Sequence, residues 1–286
     1  MLRFLILFGF AYLFLHLHLT GDISKYINMR YGYLSFSMIF IIGIMAVYQL
    51  VKWNMEGIRK DSHAHADQEK RLFGHDHSHE NDTWWKRTVT YGLVIFPLVT
   101  GLFLPIATLD STIVRAKGFH FAEIDNDKDQ YANHQILKPD TSQYYESSTY
   151  KRMLKSDMEK YSKPGQLYLN DDNYLRALEA IYNYPGNFTN KHVSMMGFVY
   201  HGDALEKNQL FLFRFGIIHC IADAGVFGMM VQFPESIDYK DDTWLRVEGK
   251  LTETYYQPFK QTIPVLKVTK WHSVAKPKSP YAYRKY

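Results

Sequence analysis

The sequence predicts a membrane-anchored α+β protein: three transmembrane helices, then a polar tether with one helix, then a small five-stranded OB-like β-barrel. Three observations carry this expectation. Long apolar runs crowd into the first 109 of 286 residues, although mean hydropathy over the chain is −0.28. A polar stretch follows them, and beyond it one helical pattern precedes five runs with strand character.

Each element follows from its residues. Leu2 to Leu19 carries only Arg3 as a charge, while Tyr31 to Val51 and Val89 to Leu109 carry none. At ~1.5 Å rise per residue, runs of about 20 residues cross a hydrocarbon core of about 30 Å. Helices are therefore expected at about 2–20, 31–53 and 88–109, forming a transmembrane region 1–109. The first run reads as a retained helix, because His16 to Asp22 offers no small-x-small cleavage site. Trp53, Trp84 and Trp85 mark interfaces, and Pro97 and Pro105 remove backbone donors and predict a kink. Lys52, Arg59, Lys60, Lys70, Arg71, Lys86 and Arg87 outweigh Lys25 and Arg30 of the first loop. Positive loops stay inside, so the N-terminus and loop 54–87 are placed in the cytoplasm and the C-terminal part outside.

Residues 110–165 read as an extracytoplasmic tether with a helix from Ser148 to Tyr161, stopped by Pro164-Gly165. In 166–286, Asn170 or Asp171 caps a helix through Tyr182 that gathers Tyr174, Leu175, Leu178 and Ile181 on one face. Strands are expected at His192–Tyr200, Leu210–Ile218, Phe227–Phe233, Trp244–Tyr256 and Ile263–Trp271. Five strands of that length with Gly at bends suggest an OB-type barrel.

Composition narrows the function. With 33 basic and 29 acidic residues the net charge of +4 is too small for a nucleic-acid binder, and Phe211, Phe213 and Phe215 read as core rather than as a base-stacking face. A single cysteine, Cys220, excludes an intrachain disulfide framework, a zinc ribbon and a four-cysteine iron–sulfur cluster within one chain. No phosphate loop, serine elbow or glycosidase carboxylate pair stands out, so the chain does not read as an enzyme.

Two groups of residues carry legible chemistry. His63, His65, His75, His77 and His79 lie in the cytoplasmic loop among Asp61, Asp67, Asp76 and Glu80, without any hydrophobic pattern. Such imidazoles and carboxylates can gather around Zn²⁺ or another divalent ion as a labile site, or serve only as a hydrophilic linker. The second group lies in Arg214 to Ala224, where His219, Cys220 and Asp223 could bind a soft ion or form a turn capped by Asp223 around a buried thiol. Adjacent side chains on a strand diverge, so a shared ion there requires the strand to end first.

Two N-terminal helices, the His-rich loop, a third helix ending in Leu104-Pro-Ile-Ala-Thr-Leu-Asp-Ser-Thr112 with Ala116-Lys-Gly118 after it, and the Arg214 to Ala224 run resemble the YcgQ-like family of two-component permease subunits. Where that family often has two adjacent cysteines, this chain has His219-Cys220. The resemblance covers nearly the whole chain. It implies a bacterial cell-membrane protein acting as an accessory subunit, its outer domain capping or gating a larger polytopic permease, with a suggestive link to divalent-metal (zinc) homeostasis. The competing expectation is a stand-alone module, anchored in the lipid bilayer, that binds an envelope polymer or protein.

Overall fold

The structure, a computed structural model, describes residues 1–62, 84–106, 108–117, 119–120, 135–136, 145–203 and 205–284. His63, His65, His75, His77 and His79 lie outside the described residues. The chain divides into two compact units, one of Met1–Ser24 and Met29–Ala107, the other of Lys25–Asn28 and Thr108–Tyr286.

The first unit consists of helices α1 (Leu2–Thr20), α2 (Gly32–Ser62) and α3 (Trp84–Phe103). Gly21 ends α1 in the left-handed region at φ 77°, which costs a residue without a Cβ little, and its N–H closes on His18 O. Helix α1 packs against both others. His18 Nε2 lies 3.1 Å from Ser35 Oγ of α2, and Leu98 of α3 occupies the space left by Gly9, where an added Cβ would meet its Cδ1 at 2.8 Å. Leu2–Thr20 and Met29–Met55 are long and apolar enough to cross a membrane. Among the described residues these two meet that criterion, where three such segments are expected from the sequence. Helix α3 opens on Trp-Trp-Lys-Arg and stops at Phe103, ahead of Pro105, so it gathers fewer consecutive apolar residues than the expected 88–109.

The second unit begins with α4 (Ser111–Lys117), followed by a parallel pair of two-residue strands, β1 (Phe119–His120) and β2 (Gln135–Ile136). Helices α5 (Ser147–Tyr161) and α6 (Tyr174–Asn183) pack together, with Leu154, Asp157 and Tyr161 of α5 buried. Tyr174, Leu175, Leu178 and Ile181 form the buried face of α6, as their spacing requires. Asn170 accepts from the N–H groups of Asp172 and Asn173 and so turns the chain into α6, while Asn173 takes the cap position.

Strands β3 (Leu167–Tyr168), β4 (His192–Tyr200), β5 (Gln209–Ile217), β6 (Gly225–Gln232), β7 (Trp244–Tyr256), β8 (Gln261–Ser273) and β9 (Ala282–Tyr283) form one mixed sheet in the order β3-β4-β7-β8-β6-β5-β9. A seven-stranded mixed sheet thus stands where a five-stranded barrel is expected from the sequence. The two further strands are two residues long, too short to leave a period of their own. Strand β4 also pairs with β5, in register Phe198↔Phe213, and β6 runs parallel to β8. Two sets of core residues result. Leu178, Ile181, Met195, Leu212, Met229 and Val247 pack with α6, while Phe198, Phe211, Phe213, Phe215 and Trp244 stack in the other set. The three alternating phenylalanines of β5 are core residues.

Candidate functional site

Strand β5 ends at Ile217, so His219 and Cys220 leave the ladder, and Ile221–Asp223 forms one turn of 3₁₀-helix before β6. Asp223 closes this corner on itself. Its carboxylate accepts from the N–H groups of Ile218, His219 and Cys220 at 3.2, 2.8 and 3.2 Å, and its Oδ2 lies 2.9 Å from His219 Nδ1. The Cys220 side chain in turn accepts from the Asp223 N–H, completing a capping box. Three N–H groups that the strand end would strand are satisfied by one side chain.

Arg214, 1% exposed within β5, reaches the other side of the corner. Nη1 bonds Asp171 Oδ1 at 2.6 Å, while Nε and Nη2 donate to the carbonyls of Pro280, Ser279 and Tyr281 at 3.3, 3.4 and 3.1 Å. Its guanidinium also lies 5.3 Å from the ring centre of Tyr174, whose phenol is pushed well above its ordinary range by burial. A planar fork with five donors suits this task, for which lysine would lack the geometry. Held this way, the segment 279–281 leads directly into β9 on the edge of β5.

A third element completes the corner. Lys25–Asn28, from the connection between α1 and α2, belongs to this unit. Ile27 forms an antiparallel bridge with Cys220, flanked by Asn28 N–H to His219 O and Ile221 N–H to Tyr26 O, each 2.8 Å. The Asn28 side chain, 5% exposed, donates from Nδ2 to Ile218 O at 2.9 Å and to Arg284 O at 3.1 Å. Beyond it Arg284 Nη1 meets Glu179 Oε2 at 2.6 Å, and Tyr150 Oη–H donates to Glu179 Oε1 at 2.9 Å.

Of the four residues singled out in the sequence run, His219, Cys220 and Asp223 meet in the turn, whereas Arg214 turns toward Asp171 and the C-terminal segment. Asn28, Arg284, Glu179 and Asp171 were not legible as partners, because each lies far away in sequence and no local pattern announces a bond across 190 or 256 residues. Among the described residues no group of three His, Cys, Asp or Glu is placed to hold a metal ion. What Asp223 does here is gather backbone N–H groups. A separate cleft of about 510 Å³ between the end of α5 and residues 187–192 includes Lys191, whose ammonium donates to the carbonyls of Lys163 and Gly165 and whose pKa burial pulls below its usual range.

The same chain architecture recurs elsewhere. Residues 2–120 match the DUF1980 N-terminal domain and residues 144–284 the DUF1980 C-terminal domain. The UPF0703 protein YcgQ of Bacillus subtilis (strain 168) is 47% identical over 284 residues, covering 99% of each chain. The chain belongs to the YcgQ family. Another member, from Streptococcus mutans serotype c, is 37% identical over 289 residues, again covering 99% of each chain, and is named as a two-component membrane permease complex subunit. In this YcgQ-family chain, two helices of spanning length and a relative named for a membrane complex together point to membrane association.

Proposed function

We propose that the protein is a non-enzymatic, membrane-anchored accessory subunit of a two-component permease, whose C-terminal unit caps or gates a polytopic partner outside the cytoplasm. The observation that carries this reading is full-length similarity to the relative named as such a subunit, joined to helices of spanning length. Few helices with short connections leave no solute path within one chain, so transport requires a partner.

A parity argument supports a third crossing by α3. If α1 and α2 both cross, their connection faces the side opposite the N-terminus, and the chain leaving α2 returns to the N-terminal side. Lys25–Asn28 of that connection is built into the C-terminal unit, so residues from Thr108 onward share its side. One more crossing between Ser62 and Thr108 satisfies both conditions, and α3 is the apolar helix in that interval. The lysine and arginine excess of loop 54–87 then sets the N-terminus and the loop inside and the C-terminal unit outside. An OB-like reading of the sheet is supported by its five long strands, each of which neighbours two of the other four, with β6 and β8 as the parallel pair. In this reading β3 and β9 are edge additions.

The test is purification in mild detergent with and without a co-expressed polytopic permease. Obligate co-purification is the expected result. A chain that folds alone, ignores the permease and binds envelope polymer would instead make it a stand-alone module.

A further inference from the structure

We propose that Lys25–Asn28 is a coupling strap, through which a shift of the α1–α2 helix pair is transmitted to the His219–Asp223 turn and to the C-terminal segment. Four residues of the second unit are flanked on each side by residues of the first, Ser24 and Met29. Helix α1 ends at Thr20 and α2 begins at Gly32, so a shift of either helix reaches the strap through only three or four intervening residues, most of them in short 3₁₀ turns. The strap itself is rigidly held. Asn28 is buried, with its backbone N–H on His219 O and its side chain shared between Ile218 O and Arg284 O.

The groups at the receiving end form one connected set. Ile218 and His219 give their carbonyls to Asn28 and their N–H groups to Asp223. Arg284 gives its carbonyl to Asn28, its N–H to Ile217 O and its guanidinium to Glu179 of α6. Displacing Asn28 would strand the carbonyls of buried Ile218 and Arg284 together with that of half-buried His219, an outcome folded chains avoid, so turn and C-terminal segment must follow it or open. In a permease subunit such a strap would let the membrane helices set the state of the outer corner. That consequence rests on the proposed function, whereas the mechanical link does not.

The bridge geometry supplies the experiment. Hydrogen bonds flank the Ile27–Cys220 pair rather than joining it, and such antiparallel pairs have Cα atoms about 4.5 Å apart, within disulfide reach. In the full chain, Ile27→Cys should lose both thiols to polyethylene-glycol maleimide after mild oxidation, while a Ser24→Cys control keeps them. Hydrogen exchange then reads the coupling. Asn28→Ala should speed amide exchange at 218–224 and 281–284 about tenfold, the equivalent of one buried hydrogen bond, and leave β7 and β8 unchanged. Should Asn28→Ala not fold, the reversible Ile27→Cys disulfide serves in its place: oxidation should slow exchange at 218–224 and at 281–284, and reduction restore it. No disulfide, or exchange at these segments indifferent to both variants, would overturn the strap. Co-purification with a permease is a separate readout, so the strap can fail while the proposed function stands, and the reverse.

Discussion

Arg284 and Glu179 form an ion pair at 2.6 Å with both side chains 1% exposed. Burial pulls the guanidinium pKa down, but Glu179 and the Tyr145 hydroxyl outweigh it and hold Arg284 above its ordinary value. Removing one partner leaves an uncompensated buried charge, whereas replacing both with apolar groups removes the problem. Arg284→Met or Glu179→Leu alone should cost about 3–5 kcal/mol, and the double variant much less than their sum. Thermal unfolding of the detergent-solubilised protein checks this. Additive losses would show that the two charges do not depend on each other.

A second carboxylate predicts an acid limb. Asp241 anchors α4 by its ion pair to Arg115 and also faces His201 at 2.6 Å. Burial pulls its pKa up, yet hydrogen bonds from His201 and Arg115 prevail and hold it below its ordinary 3.8. Because the folded value is the lower one, its contribution is complete above about pH 4 and is lost as pH falls through the depressed value. Amide exchange in 111–115 should rise in acid below that point. Asp241→Asn should raise it already at neutral pH and flatten the acid dependence. An unchanged acid limb in that variant would assign it to another group.

The five long strands were nearly legible from period alone: β4 and β7 begin and end at the expected residues, and β5, β6 and β8 differ by one or two at their ends. Strands β4, β5 and β6 are buried almost throughout and read as near-continuous apolar runs, whereas β7 alternates, and burial is what the long strands share. Strands β3 and β9 escape because two residues carry no period, and α3 ends short of the expected residue 109 because apolarity continues past Phe103 into Leu104-Pro-Ile, where proline ends the helix. The corner was half legible. Residues within one run, such as His219 and Asp223, announce each other by spacing, but the partners of Arg214 and Asn28 are chosen by tertiary packing.

Close packing in that sheet yields a sharp test. Opposite Phe213, Gly228 leaves no room: an added Cβ would lie 2.0 Å from Leu212 O. Gly228→Ala should therefore destabilise the C-terminal unit by about 1–3 kcal/mol, the usual range for overpacking a filled interior. Near-unchanged thermal unfolding would mean that β5 and β6 separate more easily than their register implies.

Sidedness is directly measurable. Cysteines introduced at exposed positions of β7 and β8, such as Lys250 and Lys267, should react with impermeant maleimide in intact cells, and positions 60–80 should not. The reverse labelling would invert the orientation. Labelling of both sets would remove the crossing by α3.

The histidine loop offers a prediction from composition alone. His63, His65, His75, His77 and His79 in a peptide of residues 54–88 should take up Zn²⁺ in their neutral form, with affinity falling as pH drops through about 6.5. Alanine at all five positions should abolish the uptake. No pH-dependent uptake by the unaltered peptide would leave the loop as a hydrophilic linker.

The bond from Asn28 to Arg284 spans 256 residues, which gives biogenesis an order. At about 5–20 residues per second, some 10–50 s separate the emergence of one partner from the other. During that interval α1 and α2 can already be inserted while their connection waits, its carbonyl partners not yet translated. Closure of the corner is thus a late event, and a nascent chain stalled before residue 284 would present an undocked connection to the proteases that survey the membrane surface. Released full-length chains and chains truncated before residue 284 should differ in cleavage near Asn28 and nowhere else in the helix pair.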